Sequence, residues 1–167
     1  MKKGFYPIAQ RDASVLILGS MPGEESLRKN QYYANPRNSF WKIMGGLLGF
    51  DPGLSYEERT KILKENKIAL WDVLKACDRR GSLDASIRSK TIVENDFISF
   101  YHRYPHIRNV FFNGLKAENE YLKRVLPKLS EIKYKIKYDR LPSTSPAMNR
   151  LSVSDKMLKW SKIKSKI

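Results

Sequence analysis

The sequence predicts an α/β protein, a three-layer sandwich with a mainly parallel central sheet, and two observations predict it. Short, continuous apolar runs at 14–18, 68–73 and 109–112 read as strands buried on both faces, as a parallel sheet requires. Between them lie stretches whose apolar residues recur at helical spacing. The length of 167 residues suits one domain spanning 1–167, and a 41% hydrophobic content is enough to build a core. In such sheets, binding sites collect where loops leave the carboxyl ends of the strands. The loops to examine are therefore 19–39, 72–84, 113–114 and 141–150.

Each element has its own signal. The first strand ends at Gly19, and Gly19-Ser20-Met21-Pro22-Gly23 is a tight turn before Glu24 and Glu25, acids that suit a helix N-terminus. Phe40, Ile43, Met44, Leu47 and Leu48 share one face of a helix that ends at Gly49. Ser55 and Glu58 have capping-box spacing, which predicts a charged helix to about Glu65. Further helices are predicted over 91–101 and over 115–126, the latter stopping before Pro127. Over 132–138 apolar and basic residues alternate, which predicts a half-exposed strand with Lys133, Lys135 and Lys137 on one face. Met157, Trp160, Ile163 and Ile167 lie near helical spacing and predict an amphipathic terminal helix docked on the core.

Charge and composition narrow the chemistry. Lys and Arg total 32 against 17 Asp and Glu, a formal +15, so polyanions are the first partners to consider. From Leu115 onward there are 14 basic and 5 acidic residues, so the basic excess concentrates in the last third. One cysteine, Cys77, forms no internal disulfide, and only His102 and His106 are present. A cysteine-rich or multi-histidine metal site is therefore not expected, and no metal or other cofactor is predicted. The basic N-terminus lacks an apolar stretch behind it and no run of about 18 apolar residues occurs, so the expectation is a cytoplasmic monomer with no membrane contact.

Three loops carry candidate functional groups. Gly19, Ser20, Met21, Pro22 and Gly23 offer backbone N–H groups at a strand-to-helix turn. No Gly-Lys-Ser/Thr follows, so this is not a nucleotide phosphate loop. The loop Gln31-Tyr-Tyr-Ala-Asn-Pro-Arg-Asn-Ser39 has tyrosine faces for stacking a base. It also has Arg37 for a phosphate and Asn35 and Asn38 as paired donors and acceptors. Asn38 equally suits the N-cap of the helix that follows it. Pro142, Ser143, Thr144 and Ser145 form a stiff, hydroxyl-rich loop able to track a DNA backbone, bracketed by Arg140 and Arg150. Asp72, at a predicted strand end, either supports a pocket and assists a catalytic water or caps the local chain, and Asn113 stands at another strand end.

Together, in this order, the loops resemble the uracil-DNA glycosylase superfamily, and most closely its hypoxanthine-DNA (DNA-deoxyinosine) branch. The resemblance rests on Leu18-Gly-Ser-Met-Pro-Gly-Glu-Glu-Ser-Leu27, on Tyr32-Tyr-Ala-Asn-Pro-Arg-Asn-Ser-Phe-Trp-Lys42, on Ala69-Leu-Trp-Asp-Val73 followed by Gly81-Ser-Leu-Asp84, and on Leu141-Pro-Ser-Thr-Ser-Pro-Ala147. It extends over nearly the whole chain. It implies a uracil-DNA glycosylase-like fold and a monofunctional hydrolase that flips a deaminated base out of double-stranded DNA, cuts its N-glycosidic bond and leaves an abasic site for downstream repair enzymes. Release of hypoxanthine is the first expectation. Uracil or mismatched uracil/thymine excision, or a non-catalytic nucleic-acid-binding module, are the alternatives. Where the superfamily often has Asp or Asn in the first motif this chain has Met21, a thioether that cannot orient a water, and the resemblance moves the catalytic role to Asn38. It also implies that Tyr33 stacks on the extruded base, with Gly19 to Gly23, Asn35 and Asn113 around it. The last motif corresponds to an inserting loop, at Pro142 to Ser145 with Arg37 and Arg150 on the backbone. Similar proteins often read Ser-Pro-Ala-Asn there, whereas Met148 separates Ala147 from Asn149 in this chain, so Met148 is a candidate wedge.

Overall fold

The computed structural model describes all 167 residues. Its elements in chain order are β1 (Lys2–Lys3), β2 (Val15–Gly19), α1 (Glu24–Lys29), α2 (Phe40–Leu48), α3 (Tyr56–Glu65), β3 (Ile68–Asp72), β4 (Leu74–Cys77), β5 (Val93–Glu94), α4 (Phe97–Arg103), β6 (Asn109–Asn113), α5 (Leu115–Glu120), β7 (Lys137–Leu141) and α6 (Val153–Trp160). Four strands, in the order β3-β2-β6-β7, pair in parallel throughout. β2 is central, and all five of its residues are buried.

Because side chains alternate across a strand, the sheet divides the core in two. Leu16, Leu18, Trp71, Val110 and Phe112 pack on one side against Phe97, Phe100 and Tyr101 of α4 and Ala117 of α5. Val15, Ile17, Ile68, Leu70 and Phe111 pack on the other against α2, Leu63 of α3 and Trp160 of α6. The result is the three-layer α/β sandwich. Caps fix the helix ends: Ser55 and Glu58 close a capping box on α3, Ser152 and Asp155 close another on α6, and Gly49 ends α2 at φ +75°.

The structure corrects four expectations about elements. The helix expected over 91–101 begins later, at Phe97, because the Asp96 side chain accepts the Ser99 N–H and caps α4 there. The residues before it form the two-residue strand β5, which joins β1 and β4 in a small antiparallel sheet that the sequence did not announce. The strand expected over 132–138 forms at Lys137–Leu141 instead. The alternation upstream is real in burial, since Ile132, Tyr134 and Ile136 pack on the core while Lys133, Lys135 and Lys137 are exposed, but the backbone there pairs with no neighbour. The helix expected over 115–126 is α5 continued by a π turn at Tyr121–Val125, and the terminal helix passes into a 3₁₀ segment after Trp160. No helix is long and apolar enough to cross a membrane.

Candidate active site

Parallel pairing brings the carboxyl ends of all four strands to one edge. Gly19 lies opposite Asp72, Leu18 opposite Phe112, and Asn113 opposite Leu141. Four loops distant in sequence are therefore neighbours by register alone.

Gly19 sits where only hydrogen fits. A Cβ there would lie 2.5 Å from Asp72 Oδ1 and 2.9 Å from the Tyr33 hydroxyl. The turn after it is held from behind. The carbonyls of Gly19 and Ser20 accept the N–H groups of Val73 and Leu74 at 2.9 and 3.0 Å. Those of Met21 and Pro22 accept from the guanidinium of Arg79, itself only 5% exposed, which also donates to the Gly81 carbonyl. The Ser20 hydroxyl donates to Asp84 at 2.6 Å, and the Glu24 N–H donates to the Ser82 hydroxyl, so the 81–84 loop folds onto the first turn. The Met21 side chain is buried in the core.

Asp72 is 4% exposed, and its Oδ2 has no hydrogen-bond partner. Burial, with the Asp84 charge adding to it and Arg79 opposing, pushes the Asp72 carboxyl up to about 7. Tyr33, at φ +54°, stacks on Phe40 with ring centroids 4.1 Å apart. Its hydroxyl accepts from Asn113 Nδ2 at 3.1 Å. Burial beside Asp72 raises its pKa, so it stays a neutral phenol. Asn113 is the knot of the site: its Nδ2 also donates to Thr144 Oγ1 at 2.9 Å, and its Oδ1 accepts the Thr144 N–H at 2.9 Å. The Thr144 carbonyl in turn accepts from the N–H and hydroxyl of Ser39. Asn38 is next to Ser39, and its Oδ1 accepts the Phe40 N–H at 3.0 Å. The amide is thereby held at the start of α2, with its Nδ2 bonded to nothing in the chain.

Most of the residues picked out by sequence converge on this edge, with differences in what they do. Tyr32, read as a second stacking face, is a core residue whose hydroxyl donates to the Tyr6 carbonyl. Thr144, read with Ser143 and Ser145 as a contact to DNA, is 1% exposed and bonded to Asn113, so it faces inward. Asn35 shapes its own turn, accepting the Arg37 N–H on its side chain and the Asn38 N–H on its carbonyl. Arg37 and Arg150 are exposed, Pro142, Ser143, Ser145 and Met148 are half-buried, and Arg140 is paired with Glu118 at 3.0 Å. Arg79, Asp84 and Lys156 were missed as individual residues. For Asp84 the signal existed, since it ends one of the quoted motifs. For buried Arg79 and Lys156 nothing in the sequence separates them from the other basic residues. No cluster of three or more His, Cys, Asp or Glu side chains able to hold a metal is present. Clefts of 260 and 330 Å³ lie elsewhere, beside Phe97 and beside Tyr134, and include none of the strand-end groups.

Chemically, the edge offers a neutral aromatic face, an amide free to donate, a carboxyl group near neutrality and a turn whose carbonyls are all engaged. That set suits a flat, uncharged heterocycle and a water molecule.

Comparison with known proteins gives a consistent result. The family model for the uracil DNA glycosylase superfamily matches residues 6–162. The chain is 42% identical over 153 residues to a hypoxanthine DNA glycosylase of Methanosarcina acetivorans, covering 91% of each. It is 40% identical over 160 residues to one of Methanosarcina barkeri, covering 95% of each. Among solved structures it resembles the solution NMR structure of a Methanosarcina acetivorans protein described as a candidate uracil DNA glycosylase, with a TM-score of 0.76, 39% identity and 98% of both chains covered.

Proposed function

The chain belongs to the uracil DNA glycosylase superfamily, and from that premise we propose that it is a monofunctional DNA N-glycosylase of base-excision repair, releasing hypoxanthine from deoxyinosine in double-stranded DNA. One observation carries the reading of the site: a buried carboxyl group with an unpartnered oxygen, Asp72, and the Tyr33 hydroxyl both crowd Gly19 at the strand edge to which the Asn38 amide is tied through Ser39 and Thr144.

A base inside a duplex must be extruded before its glycosidic bond can be reached. The flipped hypoxanthine stacks on the outer part of Tyr33. The Ser20 and Met21 N–H groups, on a turn whose carbonyls are held away, meet the carbonyl edge of the base. Asn38 positions a water through its free amide hydrogens and the second lone pair of Oδ1. As the C1′–N9 bond breaks, its electron pair leaves with the base and positive charge builds on the sugar, where the DNA phosphates and an ionised Asp72 stabilise it. The water oxygen then bonds to C1′, its proton passing to Asp72 or to the departing base, and an abasic site remains. A carboxyl group with a pKa near the working pH suits that transfer. Pro142, Ser143, Ser145, Arg37 and Arg150 engage the DNA backbone, and Met148 enters the stack. The protein acts as a single-domain monomer in the cytoplasm, without cofactor or metal, and hands its abasic product to downstream repair enzymes.

The test is incubation with matched duplexes carrying deoxyinosine, deoxyuridine or only normal bases, followed by alkaline cleavage. Strand scission at deoxyinosine is expected. Scission at deoxyuridine alone would replace hypoxanthine by uracil as the substrate, and scission of neither, with a folded protein, removes the enzymatic reading.

A further inference from the structure

Beneath the 142–148 loop lies a cation with no anion. Lys156 of α6 is 4% exposed and has no carboxylate partner, and burial alone lowers its pKa from the ordinary lysine value. Its ammonium donates to the Met148 carbonyl at 2.6 Å and the Ser145 carbonyl at 3.4 Å. Burying a charge without a counter-charge is costly, and an apolar side chain of similar volume would fill the space more cheaply. The loop above it is arranged in the same sense. The Pro142 carbonyl accepts from the Trp160 indole at 2.9 Å, and the Thr144 carbonyl from Ser39, so four carbonyls of this short loop, at 142, 144, 145 and 148, are drawn into the protein. The Ser143 hydroxyl accepts the Ser145 N–H and the Ser145 hydroxyl accepts the Ala147 N–H, each at 3.2 Å. Neither hydroxyl proton has an acceptor within the chain.

We propose that Lys156 is a positioning residue: by pulling the Ser145 and Met148 carbonyls inward from below, it makes the 142–148 loop a seat for one backbone phosphate of DNA. The phosphate receives the Ser143 and Ser145 hydroxyl protons and supplies the anion that the buried ammonium lacks. The proposal rests on the reading of this chain as a DNA glycosylase and adds to it a residue that no motif contains.

The experiment measures binding to a duplex carrying a tetrahydrofuran abasic analogue, across a series of salt concentrations, for the wild type, Lys156→Met and Lys156→Arg. For Lys156→Met, Kd is expected to rise about tenfold near 0.1 M salt, and the slope of log Kd against log salt to fall by about 0.9, the value of one phosphate contact. Lys156→Arg should keep the wild-type slope. In turnover with a deoxyinosine duplex, Lys156→Met should raise KM more than it lowers kcat. A slope unchanged in Lys156→Met, whatever happens to Kd or Tm, overturns the proposal, because a merely structural lysine alters stability without removing an ionic contact. If Lys156→Met does not fold, Lys156→Gln, which keeps a donor for Met148 and loses the charge, takes its place under the same criterion. A wild type that shows no salt-dependent DNA binding would instead sink the underlying functional reading.

Discussion

A carboxyl group that keeps its proton to about pH 7 leaves a signature in stability. The folded protein holds the Asp72 proton more tightly than the unfolded chain, whose carboxyl titrates near 3.8. The group's contribution is therefore most favourable below about pH 4 and is lost as pH rises through about 7. Asp72→Asn should gain on the order of 2 to 4 kcal/mol over the wild type in urea unfolding at pH 8 and nothing at pH 4. A gain equal at both pH values would show that Asp72 is ionised throughout. Asn38→Ala separates chemistry from binding: base release should fall by about 100-fold or more, while Kd for an abasic-analogue duplex is retained. A protein that only binds would show no base release to lose. Asn38, Tyr33 and Asp72 were legible in the sequence as candidates because they sit in the motifs that carry the family resemblance. The cap of α2 was legible to within one residue: Ser39, not Asn38, is the N-cap, and the Asn38 side-chain oxygen accepts the Phe40 N–H from the position before it. Arg79 and Lys156 were not, since among 32 basic residues only burial distinguishes them.

α6 ties an element remote from the strand edge to the 142–148 loop. Its capping box, Ser152 with Asp155, sets where the helix starts, and its inner face carries both Lys156 and Trp160 to the 142–148 loop. Ser152→Ala should cost about 1 kcal/mol, a fall in Tm of roughly 2 to 4 °C for a chain of this size. If α6 holds the loop, the same substitution weakens DNA binding measurably; a loss of Tm with unchanged Kd would show the loop to be set by Asn113 and Ser39 alone. Elements with a strong signal, such as the helical period of α2 and the continuous apolar run of β2, could be placed from sequence. The small sheet of β1, β4 and β5 could not, because strands of two to four residues have no period to detect and their pairing is a property of the assembled chain. The 132–138 stretch failed for a related reason: alternation reports which side chains face the core, and an irregular segment lying along that core alternates just as a strand does.

At the scale of the molecule, the formal +15 is less uniform than its total suggests. Arg79 and Lys156 lie inside, and Arg140 and Lys162 are paired with Glu118 and Asp139. Exposed Lys133, Lys135 and Lys137, with Arg37 and Arg150, remain for a polyanion. Binding to any duplex should weaken steeply as salt rises, measured by anisotropy, while the ratio of base release from deoxyinosine to that from deoxyuridine stays constant, since phosphates set affinity and base edges set identity. A ratio that moves with salt would mean that backbone contacts take part in choosing the base. The fold class was legible at this scale because continuous apolar strands alternating with helices admit few arrangements. The site was legible only as a set of loops, because what joins them is strand register, which no single segment encodes.

The hydrogen at Gly19 also has a meaning in the genetic code. Every side chain there must displace Asp72 or Tyr33. Deamination of a cytosine paired with either of the first two positions of a glycine codon writes Ser, Arg, Asp or Glu. Deamination of adenine, on either strand, writes only another glycine codon. Position 19 is thus immune to the hypoxanthine lesion and exposed to the uracil one, so the gene for this protein relies, at a site with no room for a side chain, on a cell's defence against uracil.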